Sequence, residues 1–116
     1  MPVAPDSTRF VLVNTSHPGN VGAVARAIKT MGFSQLVLVN PRFADVLSQE
    51  EAIAFASGAN DVLASAKITS TLDEALEGSN YCVALSARLR EFSPPVHAPR
   101  ALAEQIQRDE SLRVAL

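Results

Sequence analysis

The chain has 116 residues, of which 47% are hydrophobic and 19% charged, and a formal net charge of −2. That length allows one domain, burying roughly two-thirds of its extended-chain surface in a single core, and no apolar run approaches the roughly 18 residues of a membrane-spanning helix. A slightly acidic balance argues against coating nucleic acid by overall charge, but Arg26, Lys29, Arg42, Arg88, Arg90 and Arg100 leave room for a local basic site.

Met1 to Thr8 carry two prolines and little periodicity, and read as a mobile leader. They lack a basic-then-apolar signal, which points to a cytoplasmic protein. Phe10 to Val13 is a short apolar, β-branched run that predicts a buried strand, and the turn formers from Asn14 to Gly19 follow it. Asn20 is the expected N-cap of a helix in which Val21, Val24, Ala25, Ile28 and Met31 share one face, with Gly32 as the stop. Arg26 falls on the other side, near Gly22, Lys29 and Thr30. The free amides of the helix start, the room that Gly22 leaves for close approach and the permanent charge of Arg26 together suit a phosphate. A solvated arginine beyond an ordinary strand-to-helix turn is the other reading, and spacing alone leaves both open.

Gln35 to Val39 predicts a second strand, ended by Asn40-Pro41, and strand, helix, strand is the crossover unit of a parallel sheet. Ser48 and Glu51 stand at capping-box spacing before a helix running to Ser57, with its alanines, Ile53 and Phe55 as the packing surface and Gly58 as the stop. A short helix from Ala59 to Ala66, begun by Asn60 or Asp61, precedes a brief strand at Lys67 to Thr69. Thr71 and Glu74 repeat the capping-box spacing for a helix to Glu77, closed by Gly78. The apolar run Tyr81 to Leu85 predicts a central strand, with Cys82 as a buried thiol rather than a nucleophile. Arg88 and Arg90, two apart in the following loop, point the same way in an extended segment. Residues 92–99 read as a rigid, proline-rich connection, Arg100 to Asp109 as a helix packing through Leu102, Ala103 and Ile106, and Leu112 to Leu116 as a strand left as a loose sheet edge. His17 and His97 lack companion ligands, so no metal site is expected.

Asn20-x-Gly22-x-x-x-Arg26 resembles the first signature motif of the SpoU/TrmH family of RNA ribose 2'-O-methyltransferases, in the SPOUT superfamily. The wider string VLVNTSHPGNVGAVARAIKTMGF followed by LVLVNPR is most similar to the TrmJ-type tRNA methyltransferase branch. The similarity continues through ASGANDVL at 56–63, TLDEAL at 71–76 and LSARLR at 85–90, and so covers nearly the whole chain. It implies an α/β fold with a mostly parallel sheet and flanking helices, S-adenosyl-L-methionine as methyl donor, tRNA or another structured RNA as substrate, and a homodimer whose active sites draw on both subunits. Carried onto this sequence, it makes Arg26 catalytic, assigns RNA contacts to Asn20, Gly22, Arg88 and Arg90, and sets Leu85, Ser86 and Ala87 against the methyl donor.

The family's second and third motifs, which form its carboxyl-terminal knot and most of the donor pocket, have no counterpart before Leu116. Residues 9–116 are therefore expected to be the amino-terminal part of one SPOUT domain, behind a leader at 1–8. A non-catalytic RNA- or phosphate-binding module that has lost the donor half is the alternative. A generic nucleotide-binding domain ranks last, because no G-x-G-x-x-G or P-loop pattern follows any strand.

Overall fold

In the computed structural model, which describes residues 7–85, 95–109 and 111–116, alternation along two strands sets the architecture. In β1 (Thr8–Val13) and β2 (Gln35–Val39), Phe10, Leu12, Leu36 and Leu38 enter one apolar cluster, while Val11, Val37 and Val39 enter a second with Ala75. Successive side chains leave a strand on opposite faces, so an unbroken apolar run fits a strand covered on both sides. The two strands pair in parallel with Phe10 beside Leu36 and Leu12 beside Leu38. With β3 (Lys67–Thr69), β4 (Tyr81–Cys82) and β5 (Val114–Ala115) they form a five-stranded sheet of order β3-β2-β1-β5-β4, every pairing parallel. The expected α/β class and mostly parallel sheet are thus present.

The larger cluster draws on α1 (Pro18–Thr30), α2 (Glu50–Ala56) and α3 (Asn60–Ser65), and the smaller one on α4 (Leu72–Leu76). α1 begins at Pro18 rather than after an Asn20 cap; His17 is the N-cap, and its side chain makes no capping hydrogen bond. Proline suits the first helical position because its missing N–H would have no helical acceptor there. Val21, Ala25 and Ile28 are buried as expected, but Met31 is 73% exposed, because the helix ends at Thr30 and the next residue leaves the helical progression.

Gly22 brings α1 onto α2. A Cβ built there would collide with the Ala52 carbonyl oxygen and lie 2.9 Å from both the Ala56 amide nitrogen and Phe55 Cβ. Only small residues fit so close a contact, so Ala52 and Ala56 are buried while Ile53 and Phe55, expected in the packing surface, are 44% and 55% exposed. Ser48 is not the cap of α2; its hydroxyl donates to the Asp45 carbonyl, closing a 3-10 turn at Val46–Ser48, and Gln49 is the N-cap. The helix stops where Ser57 and Gly58 both take positive φ. α3 begins at Asn60, one of the two expected starts, with Ala59 as its N-cap.

At α4 the Thr71 hydroxyl accepts from the Glu74 amide at 3.2 Å, the expected cap. The other end is held by Arg9, whose Nη1 donates to the carbonyls of Ala75 and Glu77 at 2.9 and 2.7 Å, tying β1 to the helix. Strand positions depart from expectation. β4 lies at the sheet edge and Cys82 is exposed, because β5 takes the place beside β1. β5 is not a loose edge: Val114 pairs with Thr8 on one side and Tyr81 on the other, and Val114 and Ala115 are buried. Thr8, expected in the leader, is the buried first residue of β1. α5 (Pro99–Gln107) begins on a proline expected in the connection, and its Ala103 is exposed while Leu102 and Ile106 are half-buried. No helix among the described residues is long and apolar enough to cross a membrane.

Gly22→Ala is expected to force the two helices apart at a cost of about 1–3 kcal/mol, exceeding the gain of up to about 1 kcal/mol from alanine's helix propensity. The thermal unfolding midpoint should fall by several degrees. An unchanged midpoint would show that the contact at Gly22 is looser than described.

Candidate functional site

Arg26 lies on the outer face of α1, where Ala23, Ala27, Thr30 and Met31 line a shallow groove with Phe55 of α2. It is exposed, and among the described residues its guanidinium has no hydrogen bond or ion pair. Beyond the helical ladder, its backbone carbonyl accepts from the Thr30 hydroxyl at 2.8 Å. A rigid fork of donors on an always-charged group is therefore left for a partner outside this chain's described residues.

Lys29, three positions further along the same helix, is committed. Its Nζ donates to Asp61 Oδ1 at 3.0 Å and to the Gly58 carbonyl at 3.4 Å. The Lys29 hydrogen bond, aided by its charge, holds the Asp61 carboxyl below the usual carboxylate range. Such a lowered value contributes stability above the unfolded-state pKa of about 3.9, and the contribution disappears as the pH falls through the folded-state value. Lys29→Met should therefore differ from wild type in unfolding midpoint at neutral pH by a constant amount, and the two should converge below about pH 4. A difference unchanged at low pH would argue that Lys29 acts by packing alone.

Asn20 is exposed in the first turn of α1, with its amide donating to the His17 carbonyl and its side chain without a protein partner among the described residues. Gly22 is not open to a phosphate: the space expected for an anion is filled by the backbone of α2. The helix start is also less open to an anion than its sequence suggests. A Cβ on Gly19 would lie 2.8 Å from Glu51 Oε1, so a carboxylate of α2 already stands beside the first turn. Leu85 follows β4 and is 83% exposed. Ser86, Ala87, Arg88 and Arg90 lie outside the described residues. The described residues thus bring Arg26 and Asn20 onto one helix, and they supply no enclosure around Leu85 that would bury a ligand as large as a nucleoside cofactor.

The carboxyl ends of the strands hold residues that spacing did not single out as a site. Asn14 after β1 and Asn40 after β2 both have positive φ, 53° and 44°, and the Asn40 side-chain amide donates to Asn14 Oδ1 at 3.4 Å. Next to them, Arg42 lies over the Phe43 ring, 5.2 Å from its centroid. The signal was available, since asparagine tolerates left-handed backbone and ends both strands. Among the described residues no three His, Cys, Asp or Glu side chains converge as a metal site would require.

Comparison with known proteins bears on this arrangement. The SpoU rRNA Methylase family model matches residues 7–99. The tRNA (cytidine/uridine-2'-O-)-methyltransferase TrmJ of Pectobacterium atrosepticum is 53% identical over 95 residues, which are 82% of this chain and 38% of that protein. The crystal structure of a probable methyltransferase from Bordetella pertussis Tohama I superposes with a TM-score of 0.83 at 48% identity, covering 96% of this chain and 68% of that one. TrmJ from Z. mobilis ZM4 gives 0.82 at 31% identity over 94% of this chain and 48% of its own. The chain thus spans well under half of the curated relative it matches.

Proposed function

Since the chain belongs to the SpoU rRNA methylase family, we propose that it is the amino-terminal part of an S-adenosylmethionine-dependent ribose 2'-O-methyltransferase acting on tRNA, with residues 9–116 forming the first portion of its catalytic domain. The names of its TrmJ relatives support the reaction and the substrate class. The observation that carries the reading is Arg26: it stands at the motif position, exposed, with no partner among the described residues.

Methyl transfer to a ribose requires the 2'-hydroxyl to lose its proton while held in line with the donor methyl. Arg26 does not serve as the free base. Holding a guanidinium of pKa above about 12 neutral at pH 7 costs roughly 7 kcal/mol. Its role is to neutralise the developing alkoxide and fix the adjacent phosphate through its fork of donors, with the phosphate oxygen helping to receive the proton. Asn20, six residues earlier on α1, adds a carboxamide to the RNA contact, and Arg88 and Arg90 supply further charge. The donor, when bound, supplies the methyl group; its pocket is proposed to lie mostly in sequence beyond this chain, because Leu85 by itself offers one exposed wall. Arg26 faces away from its own sheet in a groove of small and apolar residues, which suits completion of the site by a second subunit.

Arg26→Lys in the full-length protein should reduce kcat for tRNA methylation by at least about a hundredfold with an unchanged unfolding midpoint, because a point charge does not reproduce the bidentate fork. Near wild-type turnover would remove Arg26 from the mechanism. Titration of the isolated 116-residue chain with S-adenosylhomocysteine should show no micromolar site. Stoichiometric binding would place the donor pocket within this chain after all.

A further inference from the structure

β1 is the strand at which the chain reverses across the sheet, since β2 and β3 follow on one side while β5 and β4 lie on the other. In open parallel sheets the crevice beyond the carboxyl ends at such a switch point is where ligands sit. Asn14 stands there. Its amide donates to the Val39 carbonyl and that of Asn40 to the Thr69 carbonyl, both at 2.8 Å, so each asparagine backbone is fixed by the ladder it terminates. The two carboxamides share one hydrogen bond and are otherwise unused: both Nδ2 donors of Asn14 and the Oδ1 of Asn40 have no protein partner among the described residues.

The adjoining segment is held against this point by the Arg42 amide, which donates to the Thr15 carbonyl at 3.0 Å. Phe43, 39% exposed, belongs to neither apolar cluster. What lies on it is the Arg42 guanidinium. No carboxylate neutralises that guanidinium among the described residues, where the sole ion pair is Lys29–Asp61, and the nearby Asp45 carboxylate accepts from Gln49. A planar cation on an exposed ring, beside unspent carboxamide donors and acceptors, has the chemistry of a nucleotide contact. Bases stack on aromatic rings and on guanidinium planes, and amides hydrogen-bond base edges and ribose hydroxyls.

We propose that the carboxyl edge of the sheet binds one unpaired RNA nucleotide, its base stacked on the Arg42–Phe43 pair and its polar edge or sugar at Asn14 and Asn40. This rests on RNA being the substrate, and it adds a contact separate from Arg26 on the face of α1. The backbone of both asparagines is set before RNA arrives, so the site is preorganised where the chain ends its strands.

The test is binding of the full-length protein to a tRNA transcript and to a short single-stranded oligoribonucleotide, followed by fluorescence anisotropy across a salt series. Phe43→Ala and Arg42→Ala should each weaken binding by roughly fivefold to a hundredfold, the range of one lost base stack. Arg42→Lys should keep the wild-type salt slope while losing affinity, because charge survives and the plane does not. Asn40→Gly accommodates the positive φ and deletes the carboxamide, and should raise KM for tRNA with little change in kcat. Lys67→Ala, at the amino end of β3, should bind as wild type. Wild-type RNA affinity in both Arg42→Ala and Phe43→Ala would overturn the nucleotide site and leave the methyltransferase reading standing. Failure of the unsubstituted protein to bind any RNA would overturn both.

Discussion

The contact on which the rest of the structure depends is the backbone apposition of α1 and α2 at Gly22. A helix interior glycine is ordinarily unfavourable by about 1 kcal/mol relative to alanine. Here its missing side chain lets the carbonyl of Ala52 and the amide of Ala56 approach a helix whose buried face packs with Leu36 and Leu38 of the sheet. Small residues must then face one another across the joint. The bulky members of α2 are displaced outward, and Phe55 thereby becomes one wall of the groove around Arg26. A glycine that looks like an opening for a ligand instead joins two helices, and by that joint it decides what surrounds Arg26.

The same packing sorts the cations. Two basic residues three apart on α1 have different fates because α3 begins below one of them: Lys29 meets Asp61 and Gly58, whereas Arg26 faces outward over alanines and meets none of the described polar groups. Arg9 is consumed differently, as the carboxyl-terminal cap of α4, so its charge serves the fold. Unlike Arg9, Arg26 and Arg42 have surroundings that suit an RNA partner, one on a helix face and one at the strand ends. Those positions differ in kind. Arg26 presents a bare fork, which suits phosphate and alkoxide, and Arg42 lies over an aromatic ring, which suits a base.

Much of this was legible from residue order. β1, β2 and β3 follow from β-branched runs bounded by turn residues, α1 from its period of buried residues, α4 from the Thr71–Glu74 cap, and the positions of Gly32, Gly58 and Gly78 from their left-handed backbone. The motif around Arg26 also points to the family by residue order alone, and the relatives agree with it. Capping was less readable. Asn20 and Ser48 have the right chemistry for N-caps, yet a proline and a preceding 3-10 turn shift both helix starts, and cap propensity of about 1 kcal/mol is easily overridden by such neighbours.

What the sequence by itself determined, then, is the set of local conformations, the alternating apolar faces of the strands and the identity of the motif, because each is written in residues a few positions apart. Tertiary structure alone decided that β5 rather than β4 lies inside the sheet, that Cys82 is exposed, that Gly22 faces a helix instead of a ligand, and that Asn14 meets Asn40 beside Arg42 and Phe43. An apolar run records only that a strand prefers burial; which strand obtains the inner place depends on pairings such as Thr8 with Val114, between residues at opposite ends of the chain. The space beside a glycine and the partner of a charge are likewise properties of whatever distant segment packs there, and no periodicity along the chain encodes them.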